Sequence, residues 1–238
     1  MSDQTELVND LAPAGVLRAS INLGNPVLAQ GTPDAPAGVT VDIATEIASR
    51  LGVPASFLCF DAARKSFEAL TSGQADICFL ADEPKRAAEV AFSAPYVLIE
   101  GVYAVREDSP LRGASEADAE GIRIGVKEGS AYDLFLTRTL AHATLVRGAE
   151  GTTVFTEQGL EVGAGVREPV TAFVNDHPGF RLLDGRFMEI PQAVGIAKSQ
   201  RPEAARFVHD TVEDLKRSGF VADSLRRTGQ TAPVAPLA

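Results

Sequence analysis

Hydrophobic positions along the chain follow two different spacings in turn. In residues 41–52 the apolar positions recur at helical spacing and Gly52 follows as a stop signal, which predicts an amphipathic helix. Short apolar runs at 17–24, 55–60 and 75–81 predict strands. Strands and helices that alternate with short connections are typical of βαβ units on a parallel sheet. We therefore predict an α/β fold.

The alternation begins again after a polar segment at residues 106–121. Strand and helix patterns follow through residues 122–184, and a long amphipathic helix begins near residue 204. This restart predicts a second α/β unit. The polar stretch at 25–38 is predicted to be a loop, and the Pro- and Ala-rich tail at 228–238 is predicted to fray.

Charge and hydropathy exclude several classes of function. The formal net charge of -10 argues against a nucleic-acid partner, because phosphate binding requires clustered Lys and Arg. Gly, Pro or a charge interrupts each long apolar stretch, so we predict no transmembrane segment.

Residues 1–15 lack the basic and apolar regions of a secretory leader. We therefore predict a cytoplasmic protein as the chain stands, or a periplasmic one if a leader has been removed.

The sequence has no pattern that indicates metal or nucleotide chemistry. His142, His177 and His209 lie in unrelated segments, which speaks against a metal site. No glycine run has the spacing of a phosphate-binding loop, and no G-x-S-x-G segment is present. Cys59 and Cys78 lie in apolar runs and are predicted to be buried as small hydrophobic residues. We predict that the protein uses no metal and no cofactor.

One segment resembles a known family closely. Residues 84–96 read PKRAAEVAFSAPY and resemble the P-x-R-x-x-E-V-x-F-S-x-P-Y segment of the family 3 extracellular solute-binding proteins of ABC importers. The segments at 38–54, 67–79 and 125–132 resemble further family segments, and they occur in the family's order. The similarity covers about residues 15–228.

This resemblance implies a two-lobed, type II periplasmic-binding-protein-like fold. Lobe 1 would comprise residues 1–104 and 190–238, and lobe 2 would comprise residues 105–189. Each lobe would contain a mostly parallel sheet flanked by helices. Two hinge crossovers, at residues 97–105 and 192–197, would join the lobes. The resemblance further implies that a small molecule binds in the cleft between the lobes and that the hinge closes around it.

The resemblance also implies which residues contact the ligand. Arg86 matches an arginine that pairs with a ligand carboxylate, and a planar guanidinium suits that bidentate contact. Amino-acid binders place a hydroxyl at the Ala81 position and an ammonium-binding aspartate at the Val166 position, so this chain departs from the family at both. The predicted ligand-binding residues are Asn25, Phe60, Leu80, Ala81, Arg86, Glu100, Gly129, Ser130, Ala131, Val166, Arg167 and Gln192.

The two arginines of this set have alternative partners. Arg86 could pair with Glu83 or Glu89 on a solvated helix instead of binding a ligand. Arg167 would add positive charge and favour a dicarboxylate or another anion, unless it pairs with Glu168 at the surface.

Other members of the set have structural roles as alternatives. Ser130 and Asp133 have the pattern of a capping box, which is compatible with anion binding by the backbone N–H groups of 129–131. Phe60 is a candidate for stacking on the ligand or for the core. Glu100 falls on the first crossover, where a buried carboxylate would require a ligand cation, water or an arginine as its partner.

Ligand binding is the function that the sequence favours. We predict a small organic acid or an amino-acid-like ligand, an ABC permease as partner if the protein is exported, and a monomer by analogy with acidic binders of this shape. The alternative is a cofactor-free lyase or dehydratase similar to cyclohexadienyl dehydratase, with Glu100 or Glu161 as general acid if burial raises its pKa. The effector-binding half of a LysR-type regulator is disfavoured, since the sequence has no residues for the helix-turn-helix of that class.

Overall fold

In a computed structural model, which describes residues 3–238, helices and strands alternate along most of the chain. The helices are α1 (Asp3–Leu11), α2 (Val39–Leu51), α3 (Ala63–Thr71), α4 (Pro84–Ala87), α5 (Ala131–Thr139), α6 (Gly151–Glu157), α7 (Arg167–Asp176), α8 (Pro202–Arg217) and α9 (Phe220–Arg227). The strands are β1 (Leu17–Asn22), β2 (Gln30–Thr32), β3 (Ala35–Ala37), β4 (Ala55–Phe60), β5 (Ile77–Ala81), β6 (Val90–Phe92), β7 (Val97–Arg106), β8 (Arg123–Lys127), β9 (Thr144–Gly148), β10 (Val162–Val166), β11 (Phe180–Leu182) and β12 (Met188–Ala197).

The chain divides into two compact units. Unit 1 contains the described residues up to Leu98 together with Pro191–Ala238, and unit 2 contains Ile99–Ile190. Strands β7 and β12 each begin in one unit and end in the other, so the chain passes between the units twice. The lobe boundaries predicted after residue 104 and before residue 190 fall on these same two strands.

Unit 1 contains a sheet with the strand order β4-β1-β5-β12. Strand β1 is parallel to β4 and to β5, as the alternation of strands and helices predicts, and β12 is antiparallel to β5. Helix α2 packs its apolar side inward and ends at Gly52, whose φ of 73° is the left-handed conformation that glycine adopts without strain. The predicted helix and its stop signal are therefore confirmed.

Unit 2 contains a sheet with the order β7-β10-β8-β9. Strand β10 is parallel to β8, β8 is parallel to β9, and β7 is antiparallel to both β10 and β11. Gly151 lets α6 begin directly against β10, because a Cβ at this position would lie 2.0 Å from the carbonyl oxygen of Ala164. A hydrophobic cluster lies beneath this contact and includes Val102, Ala104, Val154, Phe155, Leu160 and Val170.

Two elements of unit 1 were not expected from the sequence pattern. The stretch at 25–38, predicted to be a loop, contains the hairpin of β2 and β3. Helix α1 forms near the N-terminus, where the side chain of Gln4 donates hydrogen bonds to two carbonyls at the end of α2. Arg201 holds the same helix through ion pairs with Glu6 and Asp10. Helix α1 depends on contacts with distant segments, which local periodicity does not report, whereas the hairpin pairs residues three to seven positions apart.

The C-terminal tail is bound to unit 1 and does not fray as predicted. Val234 forms an antiparallel bridge with Val97. The side chain of Lys216 is 1% exposed, pairs with Glu213, and donates a hydrogen bond of 2.8 Å to the carbonyl of Pro236. The prediction of a frayed tail is therefore wrong, because a buried ammonium and a strand-like bridge anchor this proline-rich segment.

We expect Lys216→Met to lower the free energy of unfolding by about 3–5 kcal/mol, because the substitution leaves the buried carboxylate of Glu213 without its cation. Urea-induced unfolding measures the change. The neighbouring Arg217 is exposed and pairs with Asp214 on the same helix, so Arg217→Met should change stability by less than about 0.5 kcal/mol. Equal effects of the two substitutions would contradict an anchoring role for Lys216.

Candidate functional site

One group of predicted site residues lies at a single edge of the unit 1 sheet. Because β1, β4 and β5 are parallel, their C-terminal ends share an edge, and open α/β sheets bind ligands at such edges. Asn25 lies in the turn after β1, Phe60 ends β4, and Ala81 ends β5. Gln192 on β12 is the register partner of Ala81 and is buried. The topology thus brings these side chains to the same edge.

Arg86 lies on α4, the single-turn helix that follows β5, and is 3% exposed. Glu83 caps this helix by accepting a hydrogen bond of 2.9 Å from the N–H of Lys85, and Nη1 of Arg86 donates to the carbonyl of Ala81 at 3.4 Å. Burial lowers the pKa of Arg86 to about 10, while the charges of Cys78 and Glu83 act in the opposite direction. The solvated arginine of the alternative interpretation is therefore absent, and an anion in contact with this guanidinium would stabilise its charge.

The remaining unit 1 residues of the predicted set have contacts within the fold. Leu80 is 1% exposed and packs with Leu70 and Val90 in a hydrophobic cluster. Oδ1 of Asn25 accepts a hydrogen bond of 3.3 Å from a backbone N–H in its own turn. Phe60 is half-buried at the end of an edge strand. Of these three residues, Leu80 is the one whose side chain is enclosed by core residues.

A second group lies at one edge of the unit 2 sheet. The C-terminal ends of the parallel strands β8 and β10 lead into α5 and α7, so residues 129–131 and Val166 share an edge. Arg167 is the first residue of α7. The register partner of Val166 on β7 is Gly101, and Glu100 therefore lies beside the same helix N-terminus.

The N-terminus of α5 has the predicted capping box. Oγ of Ser130 accepts a hydrogen bond of 3.0 Å from the N–H of Asp133, whose Oδ2 accepts one of 2.9 Å from the N–H of Gly129. The N–H of Ser130 donates to the carbonyl of Lys127 at 3.2 Å. Among the three amides predicted to bind an anion, that of Ala131 is the one without an acceptor in the described part of the chain.

Two arginines of unit 2 share the carboxylate of Glu100. Arg167 Nε pairs with Oε2, and Arg186 Nη1 pairs with Oε1 at 2.7 Å. Arg186 also contacts Glu189 at 3.3 Å. Hydrogen bonds from Arg186 and from Arg167 lower the pKa of Glu100. The partner of Arg167 is thus Glu100 rather than Glu168, and no motif or periodicity in the sequence marks Arg186 as the second partner.

Glu161, the other candidate general acid, lies at the opposite end of its strand. Glu161 directly precedes β10 and Val166 is the last residue of that strand, so the two lie roughly 16 Å apart at the usual rise per residue. Arg123 pairs with its carboxylate at 2.8 Å, and the hydrogen bonds from this arginine lower the pKa of Glu161. A general acid requires a raised pKa. Neither Glu161 nor Glu100 meets that condition.

Metal and thiol chemistry find no support in the described residues. Within residues 3–238, no group of three or more His, Cys, Asp or Glu side chains is placed to hold a metal ion. None of the helices in that range is long and apolar enough to cross a membrane. Cys78 is fully buried, and burial raises the pKa of its thiol to about 12, whereas Cys59 is half-buried.

Comparison with known proteins places this geometry among ligand-binding folds. The family model for bacterial extracellular solute-binding proteins, family 3, matches residues 22–228. A mutant of ArgBP from T. maritima is 20% identical, with a TM-score of 0.75 over 94% of this chain and 99% of that chain. The amino acid ABC transporter substrate-binding protein AbpA from Streptococcus pneumoniae Canada MDR_19A, bound to L-arginine, is 19% identical, with a TM-score of 0.74 over 92% of this chain and 96% of that chain.

A third similar structure is the ancestral amino-acid-binding protein AncCDT-1, a precursor of cyclohexadienyl dehydratase. It is 18% identical, with a TM-score of 0.75 over 93% of this chain and 98% of that chain. A search of curated proteins found no match. These structural likenesses confirm the two-lobed, type II periplasmic-binding-protein-like α/β fold, and at such identities they show the fold alone.

We expect Glu100→Gln to lower stability near neutral pH by about 0.5–1 kcal/mol, because it removes two partly exposed ion pairs. The folded-state pKa of Glu100 lies below its unfolded value, so its ionised form stabilises the fold above the unfolded pKa. That contribution is lost as the pH falls through the folded-state pKa. The variant should therefore lose less stability on acidification, which urea unfolding between pH 7 and about pH 3 measures.

The control is Glu157→Gln, since Glu157 is exposed and has no ion pair among the described residues. Stability and its pH dependence should both be unchanged in this variant. An identical pH profile for Glu100→Gln and the unmodified protein would show that the two arginines do not hold the charge of Glu100.

Proposed function

The chain belongs to the bacterial extracellular solute-binding proteins of family 3, and from this premise we propose that it binds a small carboxylate-bearing metabolite in the manner of an ABC importer's substrate-binding component. Arg86 is the anchor of the ligand carboxylate. Closure of the two units on the ligand and delivery to a permease are further predictions that follow from family membership.

The observation that carries this proposal is the burial of Arg86 at the C-terminal edge of the unit 1 sheet. A guanidinium that burial has made less basic gains more from a carboxylate than a solvated one does, because water no longer screens the pair. Its two parallel N–H groups suit a bidentate contact. Helix α4 is fixed by Pro84 and by the cap from Glu83, so the guanidinium is held in position before the ligand arrives.

The second part of the proposal is that the ligand lacks an α-ammonium group. AbpA is bound to L-arginine, and an amino acid of that kind requires an acceptor for its ammonium. Here the family's acceptor position holds Val166, and the neighbouring carboxylate of Glu100 is already shared by Arg167 and Arg186. These contacts favour an organic acid over an α-amino acid.

We expect organic acids to raise the melting temperature of the protein in a thermal-shift screen of mono- and dicarboxylates and α-amino acids. Arg86→Gln should weaken the affinity for the best acid by about a hundredfold or more, because it removes a bidentate charge-assisted contact. Isothermal titration calorimetry measures the affinity, and circular dichroism checks that the variant folds.

Arg50→Gln is the matched control, because Arg50 is a surface arginine of the same unit that pairs with Glu46. It changes the net charge equally and should leave the affinity unchanged. Undiminished affinity in a folded Arg86→Gln protein would remove Arg86 from the binding site. A preference for α-amino acids would contradict the absence of an ammonium acceptor.

The enzymatic alternative is similar in fold to AncCDT-1, a precursor of cyclohexadienyl dehydratase, but neither Glu100 nor Glu161 has the raised pKa that a general acid requires. Because the pKa values of Glu100 and Glu161 are both lowered, we expect no turnover of a prephenate-like acid above the uncatalysed rate. An absorbance assay of product formation measures this. Turnover that Glu100→Gln abolishes would establish the alternative and overturn the proposal of binding alone.

A further inference from the structure

Unit 2 contains a pocket that the proposed function does not use. Its volume is about 280 Å³, and it lies along the C-terminal half of α5, away from the capped N-terminus of that helix. The pocket is lined by aromatic rings, by Leu136 and Leu140 at the end of α5, and by Ala114 and Ser115 of the 3-10 helix at Ala114–Ala117. This volume is just below the range of about 300–1,000 Å³ that is usual for ligand sites, so it suits a molecule with a single ring.

Aromatic rings from three segments form the apolar wall of this pocket. The ring of Phe187 stacks on Tyr103 at 4.2 Å between centroids and lies 6.3 Å from the ring of Phe135. Gly101 makes room for Phe187, since a Cβ there would lie 2.7 Å from the ring, and its carbonyl accepts the N–H of Phe187 at 3.0 Å. The wall is therefore fixed by backbone and side-chain contacts, and it offers a ring face to a planar ligand.

The polar groups at the pocket are mainly donors. Arg186 lines the pocket, and its side chain is 49% exposed. Its guanidinium has five N–H donors, and the ion pairs with Glu100 and Glu189 leave some of them able to bind a ligand. The hydroxyl of Tyr103 has no hydrogen-bond partner within residues 3–238. Burial raises the pKa of Tyr103, and so does the charge of Asp118, which keeps the hydroxyl protonated as a donor at neutral pH.

The one carboxylate that lines the pocket, that of Asp118, accepts hydrogen bonds from the backbone. Asp118 accepts hydrogen bonds from three successive N–H groups at residues 141–143, and these bonds lower its pKa. Because its oxygens already accept three N–H groups, this carboxylate has less capacity to accept hydrogen bonds from a ligand cation. The pocket thus combines a ring face with an arginine and a free phenol.

From these contacts we propose that the pocket is a second binding site, for a small aromatic carboxylate. The ring of the ligand packs on Phe135 and Phe187, and its carboxylate accepts hydrogen bonds from Arg186 and Tyr103. This site is independent of the one anchored by Arg86, so either can exist without the other. The small side chains of Ala114 and Ser115 leave the space that the ring occupies.

The probe is benzoate, titrated into the Arg86→Gln protein and followed by amide NMR. We expect chemical-shift changes at Leu136 and Phe187 that saturate with one site. Benzamide, which keeps the ring and loses the charge, should bind at least about tenfold more weakly. Cyclohexanecarboxylate, which keeps the charge and loses the flat ring, should also bind more weakly. If the Arg86→Gln protein does not fold, the same signals report on the pocket in the unmodified protein.

Two substitutions locate the site. Ser115→Phe fills the pocket from an exposed position and should abolish the shift changes, while Arg186→Gln should weaken benzoate binding by about tenfold to a hundredfold. Arg112→Gln removes an exposed arginine of the same unit that does not line the pocket, and it should have no effect. Shift changes confined to residues around Ala81, undiminished binding in Ser115→Phe, or equal binding of benzamide would each overturn the proposal.

Discussion

The parallel pairing of β1 with β4 and β5 determines which residues of unit 1 can act together, because it brings the C-terminal ends of these strands to one edge. Arg86 is placed there because α4 begins at Pro84, shortly after β5 ends at Ala81. In unit 2 the parallel pairing of β8 with β10 has the same effect on the N-termini of α5 and α7. Strand direction therefore decides which residues can come together at each candidate site, and side-chain chemistry then decides what they can bind.

The arginines at the two sheet edges have different surroundings. In unit 1 the guanidinium of Arg86 is buried, and burial has lowered its pKa. In unit 2 Arg167 and Arg186 converge on Glu100, whose pKa they lower. Burial in low dielectric disfavours the charged form of a guanidinium, so an anion in contact with Arg86 would stabilise its charge. The carboxylate of Glu100 already has two arginine partners, which leaves it less able to accept an ammonium group.

Local patterns predicted the repeated elements, because helical and strand periodicities arise from burying one side of each element. They failed where a long-range contact decides the structure. Helix α1 depends on Gln4 and Arg201, and the C-terminal tail depends on Lys216, and none of these residues breaks a pattern in the sequence. The pairing of Arg186 with Glu100 was missed for the same reason, since the direction of a loop side chain has no periodicity to reveal it.

Family membership preserves the strand order more strictly than the chemistry at the strand ends, because core periodicity tolerates many sequences while a binding contact requires a particular side chain. The resemblance implies a hydroxyl at the Ala81 position and a carboxylate at the Val166 position of the family's amino-acid binders, and this chain has neither. Losing a carboxylate removes an acceptor for cations, and the arginines on Glu100 occupy the nearest replacement. These two differences are the reason why we propose an anion rather than a zwitterion as the ligand.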